Sequence, residues 1–149
     1  MTRFSRSFLF PDVNVWVALT YGGHFHHNAA KSWFENLDSD SCVCFCRFTQ
    51  LSLLRLLTTQ AVMGKDEVMT QAEAWEAYDQ WKQDGRIGFV EEPSEIELSF
   101  RSRSSEHHSR PKNWADAYLA AFATVSGMQF VTFDRAFHGK LEKLLILRF

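Results

Sequence analysis

The sequence predicts an α/β protein: an open, mostly parallel β-sheet flanked by helices on both faces, in a three-layer α/β/α sandwich. Two observations carry this. Short apolar runs of strand length alternate with longer segments of helical period along nearly the whole chain. The runs are apolar at successive positions, not alternate ones, as strands covered on both faces require.

Ser7 to Phe10 reads as the first strand, closing at Pro11 and Asp12, and Val13 to Leu19 as a short helix. Tyr21-Gly22-Gly23 breaks the chain before His26 to Leu37, where Ala30, Trp33, Phe34 and Leu37 recur at helical spacing. Ser41 to Cys46 is a second strand. The apolar helix after it carries Phe48, Leu51, Leu53, Leu54 and Leu57 and ends in a turn region at Thr58-Thr59 and Val62-Met63-Gly64. Val68, Ala72, Trp75, Tyr78 and Trp81 mark a long helix from Asp66, its expected N-cap, to Asp84. Ile87 to Val90 is a third strand, followed by a helix expected to be capped at Ser94. The polar stretch Ser102 to Asn113 reads as a loop. Trp114 to Ser126 is an Ala-rich helix stopped by Gly127, Gln129 to Phe133 a fourth strand ending at Asp134, and Leu144 to Leu147 a fifth.

The 149 residues suffice for one core, so a single domain over 1–149 is expected. Hydrophobic residues at 46% and charged residues at 23% are globular values that exclude a disordered or fibrous chain. A load of 14 Phe and 5 Trp suggests some surface meant for a partner. The net charge of -2 excludes nucleic-acid binding by bulk charge and leaves local basic patches open. The sequence shows neither a membrane-length apolar run nor a signal-peptide pattern, so a cytoplasmic protein is expected. Cys42, Cys44 and Cys46 alternate along one strand. Alternate strand residues lie about 6.7 Å apart, whereas two thiolates on one zinc need about 3.8 Å, so they read as a buried strand face.

In an open α/β sheet, ligands bind beyond the carboxyl ends of the strands. Asp12 and Asp134 occupy such ends, and Asp116 lies in the first turn of the Ala-rich helix, facing the same rim. Each has a plain structural reading, as helix cap, turn former or favourable charge at a helix start. Together they would repel one another and raise each other's pKa, which favours a divalent cation among them. Oxygen ligands alone select Mg²⁺ or Mn²⁺, and such an ion suits phosphoryl chemistry.

The stretches FLFPDVNVWVAL, RFTQLSLLRLLT, NWADAYLAAFA and FVTFD, in this order and at these separations, resemble the PIN-domain ribonucleases, specifically the VapC toxins of bacterial toxin-antitoxin pairs. The resemblance implies a PIN-like sandwich and a Mg²⁺-dependent endoribonuclease toxin that cuts structured RNA, tRNA or rRNA. It also implies inhibition by a cognate antitoxin and a homodimer. Asp12 matches the family's first acid, Asn14 the polar residue two places on, Asp116 the acid of the late helix and Asp134 the acid after the fourth strand, with Thr132 two residues earlier. Asp12 and Asp116 are the expected metal ligands. One departure stands out: the family's Glu at the start of the helix after the second strand is matched by Gln50, an amide that brings no charge to a metal.

RNA needs phosphate contacts around an acidic centre. Arg47 and Arg55 flank the helix after the second strand, and Arg101, Arg103, Arg110 and Lys112 lie in or beside the polar stretch ahead of Asp116. Arg47, Gln50, Arg55, Arg110 and Lys112 are therefore candidate RNA-binding residues, Arg55 because a charge within an apolar helix needs a carboxylate or phosphate partner. His24, His26 and His27 read as surface residues at a loop-to-helix boundary. Two rival readings are a PIN-like module that binds RNA or protein with little or no cleavage, and a flavodoxin-like signalling domain. The second needs a Lys after a late strand where this chain has Arg135.

Overall fold

The computed structural model describes residues 6–148; residues 1–5 and 149, included in the expected domain, lie outside the described residues. Strand β1 (Phe8–Pro11) is central. It pairs in parallel with β2 (Cys42–Phe45) on one side and with β4 (Gln129–Thr132) on the other, with Phe10 opposite Phe130. Strand β3 (Ile87–Phe89) and strand β5 (Leu144–Ile146) complete a parallel five-stranded sheet in the order β3-β2-β1-β4-β5. The strand order reverses between β1 and β4, so the crevice at their carboxyl ends is the switch point of the sheet.

Strand residues alternate between two cores, which is why the runs are apolar throughout. Leu9, Val43, Phe45 and Val131 face α1 (Val13–Thr20), α2 (His27–Glu35), α3 (Arg47–Leu57), the short α4 (Gln60–Met63) and α5 (Gln71–Lys82). Phe10, Cys44, Cys46 and Phe130 face α6 (Ile96–Ser102) and α7 (Asn113–Ser126). On the first face the Trp16 ring stacks on Phe45 at 3.8 Å; on the second, Phe10 stacks on Phe122 at 4.9 Å.

Four local expectations are corrected. The long helix starts at Gln71, not at Asp66. Thr70 Oγ1 accepts from the Glu73 N–H at 3.1 Å while the Glu73 carboxylate accepts from the Thr70 N–H at 2.8 Å, a reciprocal cap that Asp66 lacks. The turn region after α3 contains the helix α4, and Ser94 bonds to the Glu95 carboxylate instead of capping α6. Finally, the sulfurs of Cys42 and Cys44 lie 3.4 Å apart, well inside the strand spacing. The side chains converge over Gly88 of β3, where a Cβ would come within 2.9 Å of Cys42 Sγ.

Phe10→Ala would open a cavity between β1 and α7 and should cost about 3–5 kcal/mol. Thr70→Ala, at an exposed cap, should cost about 1 kcal/mol. Urea unfolding at neutral pH measures both.

Candidate active site

Because β1 and β4 are neighbours, the residues that follow them leave the sheet at the same place. The Asp12 N–H still donates to Val131 O at 2.7 Å, continuing the ladder one residue past the end of β1. The Asp12 side chain then turns to cap α1, Oδ1 accepting from the Val13 N–H at 2.7 Å. Its other oxygen, Oδ2, accepts from the hydroxyl of fully buried Thr132 at 2.7 Å. The same hydroxyl oxygen accepts from the Asp134 N–H at 3.0 Å and from Asn14 Nδ2 at 3.3 Å. It thereby makes the three hydrogen bonds a hydroxyl can make. Asn14 Oδ1 closes the ring by accepting from the Phe133 N–H at 3.4 Å. Exposed Asp134 also caps the 3-10 turn Arg135–Phe137, accepting from the Ala136 N–H at 2.9 Å.

Asp116 sits in the first turn of α7, half-buried. Burial pushes the Asp12 pKa up to about 6; the bonds from Thr132 and Val13 work against that, and the charges of Asp116 and Asp134 add to it. Asp116 is also raised, first by burial and then by Asp134, with Lys140 and Arg110 opposing. Asp12 thus feels the charges of both Asp116 and Asp134, and Asp116 feels that of Asp134. The ion pairs among the described residues are Arg86–Asp84, Arg101–Glu97 and Arg110–Glu106, and these three acids take no part in them.

A half-buried carboxylate with two like charges nearby and no cation against it is a site where a hard divalent ion would relieve repulsion. Among the described residues, no three such donors are close enough to enclose an ion. Carboxylate oxygens are donors suited to a hard cation such as Mg²⁺ or Mn²⁺.

The remaining candidates fall in different places. Gln50 is 7% exposed and its side-chain oxygen accepts from Arg47 Nη1 at 2.6 Å; it also bonds to Tyr78. Its amide thus serves the α3–α5 contact. The Arg47 guanidinium lies over the Phe89 ring at 4.9 Å, at the start of α3 beside the rim. Arg55 is exposed in the last turn of α3, about 12 Å further along a helix that leads away from the rim. Arg110 is tied to Glu106 at 2.8 Å, and Lys112 stands exposed just before α7.

Two features escaped the sequence reading. Lys140 supplies the leading positive charge on Asp116, although its segment has no periodicity to mark it. The histidines are not simply on the surface: the His26 ring stacks on Phe133 at 4.3 Å, between Thr132 and Asp134 in sequence, and His27 Nδ1 lies 2.7 Å from Ala18 O.

The family described as PIN domain matches residues 9–140. The chain is 41% identical to ribonuclease VapC41 of Mycobacterium tuberculosis over 145 residues, 94% of this chain and 99% of the relative. Two solved structures share the fold at low identity. One is M. tuberculosis VapC20, described as a sarcin-ricin loop cleaving toxin, at a TM-score of 0.67 and 16% identity over 94% of this chain and 99% of that one. The other is VapBC2 of Rickettsia felis bound to a DNA fragment from their promoter, at 0.67 and 12% over 93% and 96%.

The raised Asp12 pKa sets the sign of a pH dependence. The folded carboxyl titrates near 6 and the unfolded one near 3.8, so the folded state holds the extra proton between these values. Without divalent cation, this group's contribution to stability should fall as pH rises from about 4 to 6. Carboxyl NMR should place the Asp12 midpoint near 6. Thr132→Val, which removes the bond to the carboxylate, should move it higher and cost about 1–3 kcal/mol, because the Asp134 N–H and Asn14 Nδ2 lose their acceptor.

Proposed function

Since the chain belongs to the PIN-domain family, among the VapC ribonuclease toxins of VapBC pairs, we propose that it is a Mg²⁺-dependent endoribonuclease cutting structured RNA, restrained by a cognate antitoxin. The observation that carries this is the Asp12 carboxylate at the sheet's switch point, half-buried, charge-coupled to Asp116 and Asp134, and in no ion pair. Residues 1–149 act as a single PIN domain in the cytoplasm, where the RNA is; no helix among the described residues is long and apolar enough to cross a membrane.

Asp12 and Asp116 would hold the ion. Mg²⁺ or Mn²⁺ bound there supplies charge stabilisation for the scissile phosphate and a more acidic water. Asp134, exposed and adjoining the other two, orients the attacking water. Thr132 and Asn14 fix the carboxylates through the bonds described above and take no proton themselves. Arg47, Arg110 and Lys112 bind phosphates around the rim, with Gln50 holding the Arg47 guanidinium in place. Arg55 contacts the RNA only beyond the rim, given its place on α3. The substrate is tRNA or rRNA. Exposed Leu51, Trp75 and Trp114 support a surface covered by the antitoxin or by a second copy in a homodimer.

Wild-type protein should nick bacterial tRNA or rRNA only with Mg²⁺ or Mn²⁺, and chelation should stop it. Asp12→Asn should lower cleavage about 100-fold or more while keeping the unfolding transition, and should abolish growth inhibition on expression. Mapping RNA ends after brief expression identifies the substrate. Retention of RNA without nicking at saturating metal would identify a binding module instead, and full activity in Asp12→Asn would overturn the assignment of Asp12.

A further inference from the structure

We propose that the cleft leading from Asp116 along α7 is the track for backbone phosphates of one RNA strand beside the scissile bond, with Lys140 and Lys143 as its phosphate contacts and Arg103 as a fixed charge between them. This rests on the nuclease reading and names where its substrate lies.

Two hollows meet on this flank. One, of about 260 Å³, is lined by Asp116, Asn113, Arg103 and Lys140; the other, of about 580 Å³, by Arg103, Lys140, Thr124, Gly127 and Lys143. Because Arg103 and Lys140 line both, the hollows form one run beside α7. From Asp116 to Gly127 that helix rises about 16 Å, room for more than one backbone phosphate of a strand.

The charges along this run are held ready for an anion. The Arg103 guanidinium donates to Lys140 O, to Thr124 Oγ1 at 3.2 Å and to Ser99 Oγ at 3.3 Å, all of them neutral oxygens. Lys143 Nζ donates to Gly127 O at 3.2 Å, again without a carboxylate. Besides Asp116, the acids lining the hollows are Glu106, which is paired with Arg110 at 2.8 Å, and Glu142. A positive side chain near the end of α7 also answers the helix dipole, and that accounts for Lys143's bond. It gives no reason for Lys140, exposed where the hollows join and acting on Asp116. The larger aromatic groove between α3 and α7, lined by Phe48, Phe89, Trp114 and Tyr118, has Glu91 and Glu92 on its wall, charge that opposes a polyanion.

The test measures binding of a fluorescein-labelled RNA hairpin to Asp12→Asn protein, silenced for cleavage, across a salt series. Lys140→Ala and Lys143→Ala should each weaken binding at low salt and lower the slope of log Kd against log salt by about 0.7 to 0.9. Lys140→Arg should keep the slope, as should Lys31→Ala on α2, outside the cleft. In cleaving protein the double variant should raise KM by a larger factor than it lowers kcat, and should still unfold in a single cooperative transition. An unchanged slope in the double variant, in protein that binds and cuts RNA, overturns the track and leaves the nuclease reading standing. The track is equally overturned if these variants weaken an antitoxin complex but not RNA binding. Failure of the parent protein to bind or cut RNA at all overturns the nuclease reading and the track with it.

Discussion

One hydroxyl holds the two halves of this molecule in register at the place where its chemistry is set. Thr132, at the end of β4, donates to a carboxylate that began at the end of β1, 120 residues earlier, and accepts from the backbone leading to Asp134. Its side chain is fully buried, so its bonds are made in a low-dielectric setting where they are strong and where losing one is costly. The same contact partly offsets the cost of keeping the Asp12 charge out of water. Serine preserves these bonds; valine, of similar shape, preserves none.

The sheet makes this contact possible by packing, before any polar group is considered. With β1 flanked by β2 and β4, its inner side chains divide between two closed cores, Leu9 and Phe10 taking opposite ones. The strand is thus pinned on both faces, and a slip by one residue would exchange its two faces. Asp12, the first residue past the strand, inherits that rigidity. Its position is set by burial of Phe10 against Phe122 and of Val15 and Trp16 on the other face together with its own hydrogen bonds.

Much of this was legible in the sequence. Continuous apolar runs pointed to the parallel sheet, and acids just after two of those runs to the candidate site, because both follow from residue type and position alone. What stayed hidden depended on groups that meet only in three dimensions. Asp66 was an acceptable cap in isolation, but Thr70 and Glu73 cap each other, and two bonds outweigh one. The Cys42 and Cys44 sulfurs converge because a glycine on another strand leaves room. Arg55 belonged to the right helix but to its far end, since the direction in which α3 leaves the sheet is a tertiary fact. Lys140 lies in a segment without pattern, and only its nearness to Asp116 reveals it. Helix starts and side-chain neighbours are thus where local rules give way to the packing around them.

The strand order has a consequence for how the molecule comes into being. β1 is made before the other strands and occupies the middle of the sheet, yet one of its two neighbours, β4, ends only at Thr132, 120 residues after Asp12. Half of the central strand's ladder must therefore wait until β4 has been made, and the Asp12 carboxylate waits with it. A nascent or truncated chain can bury Trp16 against Phe45 and still lack Thr132, Asp134 and Asp116. The three carboxylates, on this plan, come together only once β4 has paired with β1.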